Sequence, residues 1–155
     1  MTTKILFPVD FSKGYEQALK LAVSLARDQQ GELILLHVEE APMAYGGGEF
    51  YYGLAEPNRD RLQQMLNEVV VDDPRVPVRR HVVVGSPGSG IVYYAADQGV
   101  DYIVMPTHGR TGLRRLLMGS VAEEVVRQAT CPVITVKGTA AKETAAQPAK
   151  ELCHV

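Results

Sequence analysis

Nothing in the 155 residues calls for a disulfide scaffold, a membrane or a nucleic-acid partner. Only two cysteines occur, Cys131 and Cys153, too few and too far apart for a disulfide framework. A surplus of one charge is missing as well. Sixteen Lys and Arg face 18 Asp and Glu, a net charge of −2, whereas nucleic-acid proteins usually carry a strong basic excess. No apolar run approaches the ~18 residues of a membrane span. Met1-Thr2-Thr3-Lys4 leads straight into a short apolar stretch without a cleavage region, so no signal peptide is expected and the cytoplasm is the expected compartment. Several reactive motifs are absent too. No HExxH, CxxC or close His/Asp pair exists, which argues against a zinc site. No G-x-x-x-x-G-K-[ST] is present, and Gly85-Ser86-Pro87-Gly88-Ser89-Gly90 has the wrong order for G-x-G-x-x-G. No G-x-S-x-G elbow appears, and no Ser/His/Asp set can be assembled. What remains is an ordinary globular balance, 46% hydrophobic and 22% charged. The length fits one domain, which buries roughly 68–70% of its unfolded surface without help from metals or disulfides.

Apolar periodicity places the elements. Lys4-Ile5-Leu6-Phe7-Pro8-Val9-Asp10 reads as a buried strand stopping at Asp10, with Ser12 as cap of the next helix. In that helix Ala18, Leu19, Ala22, Leu25 and Ala26 share a face, and Gly31 closes it. Leu33–Val38 is the second strand, and the Gly- and Tyr-rich segment 41–55 is a loop. Arg61–Val70 is predicted helical, Val78–Val84 a strand, Gly85-Ser86-Pro87 a turn, and Ile91–Gln98 the latter part of a helix. Val100–Met105 is a strand, Ser120–Ala129 a helix and Pro132–Val136 the last strand. Residues 139–155 lack apolar period and read as a loose tail after a domain of residues 1–138. Alternating strands and helices, with strands that are continuous apolar runs, predict an α/β three-layer sandwich around a five-stranded parallel sheet. In such sheets ligands sit beyond the carboxyl ends of the strands, where strand order reverses. The unusual residues lie there: Asp10, Val38 to Gly48, and Pro106 to Gly119.

The segment from Met105 to Ser120 carries the chemistry. Gly109, Gly112 and Gly119 allow close backbone approach. Gly119-Ser120 opens a helix, with N–H groups and a positive dipole end. Arg110, Arg114 and Arg115 add positive charge, completing the parts of a polyphosphate cradle. A structural reading stands beside this one: Ser120 and Glu123 match an S-x-x-E capping box, and the glycines turn a loop. Asp10 reads either as a ligand for ribose hydroxyls or as a loop-capping aspartate. His37, inside an apolar strand, reads as a satisfied core histidine. His108 reads as a hydrogen-bonding loop residue and His81 as part of a more open strand face. A receiver domain is excluded, since Val82-Val83-Val84-Gly85 supplies no carboxylate after the third strand.

Four stretches together resemble the universal stress protein family. They are Ile5-Leu6-Phe7-Pro8-Val9-Asp10-Phe11-Ser12, Leu36-His37-Val38, Thr107-His108-Gly109-Arg110-Thr111-Gly112-Leu113, and Leu117-Met118-Gly119-Ser120-Val121-Ala122 followed by Cys131-Pro132-Val133. The ATP-binding branch has G-2x-G-9x-G-(S/T). Here Gly109 is followed by nine residues and then Gly119-Ser120, while Pro106 stands at the first glycine, with no N–H to donate. The resemblance implies a Rossmann-like fold of the adenine nucleotide alpha hydrolase-like type that binds ATP or AMP, with Mg2+ accompanying ATP. It implies that Asp10 holds the nucleoside, that Pro8 and Val9 line the base pocket, that the Val38 backbone reads the adenine edge, and that Met105 and Pro106 are also among the nucleotide-binding residues. Gly109, Arg110, Gly119, Ser120 and Val121 would bind phosphates, largely through N–H groups, with His108 bordering them. It further implies a homodimer paired through the last strand and a sensor or regulator role with a protein partner, with at most slow hydrolysis. The alternatives are a non-nucleotide interaction module on the same fold, or a slow ATP hydrolase.

Overall fold

A computed structural model describes residues 1–40, 56–108 and 118–138. The segments 41–55, 109–117 and 139–155 lie outside the described residues, and with them the Tyr-rich loop, Gly109, Arg110, Arg114, Arg115 and the tail. The elements run β1 (Lys4–Pro8), α1 (Glu16–Asp28), β2 (Glu32–Glu39), α2 (Glu56–Asn67), β3 (Val78–Val84), α3 (Pro87–Asp97), β4 (Tyr102–Pro106), α4 (Ser120–Gln128) and β5 (Val133–Val136). The sheet is all parallel, in the order β3-β2-β1-β4-β5. The α/β three-layer reading therefore holds, and β5 lies at an edge.

Alternation of side chains along the central strands divides the core in two. Ile5, Phe7, Leu33 and Leu35 face α1 and α2, meeting Ala18, Ala22, Leu62 and Leu66. Leu6, Ile34, Leu36 and Val38 face α3 and α4, meeting Ile91, Ala95, Ala122 and Val125. Phe7, Leu6 and Ile34 are fully buried, each worth roughly 1.5–3 kcal/mol relative to exposure. Small residues on the helix faces bring the helices close. Gly90 is one of them, because a Cβ there would come within 2.9 Å of the Val38 side chain.

Several boundaries differ from those predicted. Helix α1 starts at Glu16 behind Tyr15, not at a Ser12 cap, because the Ser12 hydroxyl donates to Asp10 Oδ1 at 2.6 Å. It ends at Asp28, before the predicted Gly31. Gln30, at φ +50°, makes the left-handed turn, and the Gly31 N–H returns to the Ala26 carbonyl at 2.7 Å. Gly31 itself is required by close approach, since a Cβ there would collide with the Thr3 carbonyl. Helix α2 spans Glu56–Asn67 instead of Arg61–Val70, and Val70 is exposed. Pro87 opens α3 rather than only closing a turn. Strands β1, β4 and β5 are each shifted or shortened by a residue or two against the predicted runs.

Candidate functional site

Strand β1 pairs with β2 on one side and β4 on the other, so chain order reverses across it. A cleft of about 480 Å³ opens over the carboxyl ends of these three strands. Pro8, Val9 and Asp10 reach it from β1, Val38 from β2, and Met105, Pro106 and His108 from β4. Gly119, Ser120 and Val121 enter from the start of α4. Ten of the twelve residues named from the sequence thus line one space, and Gly109 and Arg110 lie outside the described residues.

The cleft forms where the sheet's ladder fails. Pairing of β1 with β2 runs as far as Pro8 and Leu36. Pairing of β1 with β4 stops at Leu6 and Ile103. Continuing that register would require N–H groups from Pro8 toward Val104 and from Pro106 toward Pro8, and proline has none. Two prolines on facing strands therefore unzip the β1–β4 seam at its carboxyl end.

On the other side of β1, the Val9 N–H donates to the Leu36 carbonyl at 2.8 Å. The Val9 carbonyl instead accepts from His37 Nδ1 at 2.7 Å. In a parallel ladder that carbonyl belongs to the Val38 N–H. The N–H and C=O of Val38 share the side of Leu36 and so face the space past the end of β1. They have no backbone partner among the described residues. His37 is buried, as expected for a core histidine, and its ring lies 4.5 Å from that of Phe11. It also lines the cleft.

The turn after β1 fixes Asp10. Its Oδ1 accepts the Ser12 N–H at 2.9 Å and the Ser12 hydroxyl, and Phe11 between them sits at φ +60°. This is the loop-capping geometry weighed from the sequence, and it holds the carboxylate at the cleft wall. A non-glycine residue in the left-handed region is uncommon and marks a constrained turn.

The start of α4 is built differently from the capping box. Gly119 is the N-cap, Ser120 is the first helical residue, and no side chain caps the end. Glu123 pairs with Arg127 instead of reaching back. The Gly119 N–H is used as well, donating to the Thr107 carbonyl at 2.7 Å. This bond pins α4 to the end of β4. The N–H groups of Ser120, Val121 and Ala122 have no intrahelical acceptor and carry the positive end of the helix dipole. Thr107 is the hub of this corner. Its N–H reaches Val136 at 3.0 Å, its carbonyl takes Gly119, and its hydroxyl lies 2.9 Å from His108 Nδ1.

Sequence reasoning missed Asn58, Leu62, Pro87 and Ile91, which also line the walls, and gave Glu39 and Glu40 no role of their own. Asn58 donates to Glu39 Oε1 at 2.6 Å. Glu39 and Glu40 were signalled by their place after the second strand. Asn58, in a polar helix turn, carried no signal.

The universal stress protein family model matches residues 1–137. The chain belongs to that family. A universal stress protein of Methanocaldococcus jannaschii is 33% identical, covering 88% of this chain and 96% of its own. The solved universal stress protein UspA of Lactobacillus plantarum is 28% identical with a TM-score of 0.69, covering 87% of this chain and 97% of that one. The Archaeoglobus fulgidus universal stress protein in complex with dAMP is 24% identical with a TM-score of 0.54. It covers 87% and 98% of the two chains and shares the fold. Among the described residues no helix is long and apolar enough to cross a membrane.

Proposed function

We propose that this universal stress protein binds an adenine nucleotide, ATP or AMP, in the cleft over β1 and β4. It would report the nucleotide state to a protein partner as a homodimer. The observation that carries the reading is the meeting in one cleft of three complementary ends. The unpaired N–H and C=O of Val38 match the alternating acceptor and donor of a purine edge. The Asp10 carboxylate suits ribose hydroxyls. The N-terminus of α4 at Ser120 and Val121 suits phosphate. The apolar walls from Pro8, Val9, Met105 and Pro106 fit a base, and the volume lies in the range of small-ligand sites. Gly109 and Arg110, nine residues before Gly119-Ser120, would add to the phosphate end. The dAMP complex of the archaeal protein supports the reading at the level of the fold.

Any Mg2+ would arrive on the phosphates of ATP. Among the described residues no group of three His, Cys, Asp or Glu side chains is gathered to hold a metal. Phosphoryl transfer needs a positioned water and metal as well as a cradle, so retention is favoured over turnover. The test is calorimetric titration of ligand-free protein with ATP, AMP and adenosine, joined to the mass of any ligand released on denaturation. One adenine nucleotide per chain supports the reading. No binding of any of the three refutes it. Phosphate released on long incubation with ATP would move the chain to the slow-hydrolase class.

A further inference from the structure

We propose that His37 is a positioning residue for the nucleobase end of the cleft. By holding the Val9 carbonyl with its Nδ1–H, it leaves the Val38 N–H exposed to the ligand. The inference rests on the nucleotide reading above and names what prepares its base-reading edge.

The register makes the competition explicit. Pro8 stands opposite Leu36, so Val9 stands opposite His37, and the Val9 N–H to Leu36 bond follows that register. The next bond of the ladder would run from the Val38 N–H to the Val9 carbonyl. It is not made. The carbonyl is taken by the imidazole of the residue before Val38. A carbonyl only accepts, so Nδ1 carries the proton.

Three features hold the arrangement. The His37 ring is buried and lies against Phe11. Phe11 is in the left-handed region, so the chain turns directly after Val9 and Asp10. The Asp10–Ser12 bonds fix the same turn. Without the imidazole donor, the register leaves the Val9 carbonyl to the Val38 N–H. The ladder would then lengthen by one bond and close the base-reading edge.

The test uses the full chain in three forms: wild type, His37→Leu and His37→Asn. Asn places its side-chain N–H near the position of Nδ1, and Leu offers no donor. The first readout needs no ligand: amide hydrogen exchange of Val38 measured by NMR, with Leu36 as internal reference. The wild-type Val38 amide should exchange at least a hundredfold faster than that of Leu36. In His37→Leu the two should converge. The second readout is calorimetry with AMP, where affinity should fall at least tenfold in His37→Leu and return to within threefold of wild type in His37→Asn. A wild-type Val38 amide as protected as Leu36 overturns the proposal, even if the variants fail to fold. AMP affinity unchanged in a folded His37→Leu overturns it too, as does a folded His37→Asn that binds as poorly as the Leu variant. If wild type binds no adenine nucleotide, the proposed function fails separately. The exchange contrast between wild type and His37→Leu then still decides for or against the role of His37.

Discussion

Replacing Ser120 with Asp should separate helix stability from ligand affinity, because the two respond with opposite sign. Ser120 is exposed and is the first residue of α4, whose N-cap is Gly119 and whose first turn has no side-chain cap. A carboxylate there meets the positive end of the helix dipole and stabilises the fold by ~0.3–1 kcal/mol. The same carboxylate would stand beside a phosphate held on the following N–H groups. At a separation of ~6 Å, two unit charges repel by ~0.7 kcal/mol in water and ~2.8 kcal/mol at an effective dielectric constant of ~20. A dianionic phosphate doubles the lower figure to ~1.4 kcal/mol, a tenfold loss of affinity. AMP should therefore bind at least tenfold more weakly, and more weakly still at low salt, where screening extends beyond ~10 Å. Adenosine, lacking phosphate, should bind as it does to wild type. The assay is calorimetry with AMP and adenosine at two salt concentrations, beside a urea melt of each protein. A variant at least as stable as wild type that binds AMP unchanged would refute the placement of phosphate at α4. Equal losses for AMP and adenosine would do the same, since they would point to a distorted cleft.

The proposed dimer predicts that Thr135→Pro gives a monomer. Ile134 and Val136 direct their backbone groups to β4, so those of Thr135 face the open edge, and proline removes an edge donor without touching the β4–β5 ladder. Light scattering should fall from twice the chain mass to once. A wild-type monomer at tens of micromolar, or a variant that stays dimeric, removes the claim. Asp73 predicts an acid limb. Its hydrogen bonds from the Arg75 guanidinium and N–H hold the carboxyl down to about 2, from an ordinary value of 3.8. Between those values the unfolded chain binds a proton that the folded chain refuses, so stability drops as pH falls through that window. Asp73→Asn should flatten the dependence of the urea midpoint below pH 4, and an unchanged slope would refute it. Pro106→Gly tests the unzipped seam. A restored N–H at this position points to the Pro8 carbonyl, so it should close the seam and weaken AMP binding severalfold. Tighter binding would instead mean that the new N–H reaches the ligand, as the family motif alone would suggest.

The sheet was legible because its signal is compositional. Buried parallel strands such as Leu33–Val38 read as apolar runs whatever their neighbours do. Ten of the named residues line one cleft because a parallel sheet gathers whatever follows its central strands. Helix ends were read less well. Ser12 and Ser120 have the chemistry of caps, but Ser12 is taken by Asp10, and Gly119 is held at the cap position by Thr107. The Gly119–Thr107 partnership is not local enough to appear as a spacing rule, while the Asp10–Ser12 contact, two residues apart, competes locally with the cap. The start of α2 escaped because exposed residues such as Asn58 and Arg59 add nothing to an apolar period. The roles of His37 and of the proline pair depend on register, which one chain's sequence does not reveal. His37 carried the features of a buried, satisfied histidine, and it is one. What the sequence concealed was the group it displaces.

Three interruptions of hydrogen bonding fall at one level of the sheet: the missing donors of Pro8 and Pro106, and the diverted carbonyl of Val9. Each leaves a backbone group without its ladder partner, and such a group costs about 1–3 kcal/mol when buried and unsatisfied. A sheet selected for stability alone would continue its ladders here, since the pairing of β2 with β3 runs unbroken from Leu33 to Glu39. The interruptions are confined to β1 and its two neighbours, at the carboxyl ends, around one cleft. Local rules are expected to fail at functional sites, and the proposed site is where they fail here. On the proposed reading, an incoming ligand that supplies an acceptor to the Val38 N–H and a donor to its carbonyl would restore hydrogen bonds to a strand already held by its ladder with β3. Such binding would require little ordering of the backbone, the condition under which a few polar contacts yield useful affinity.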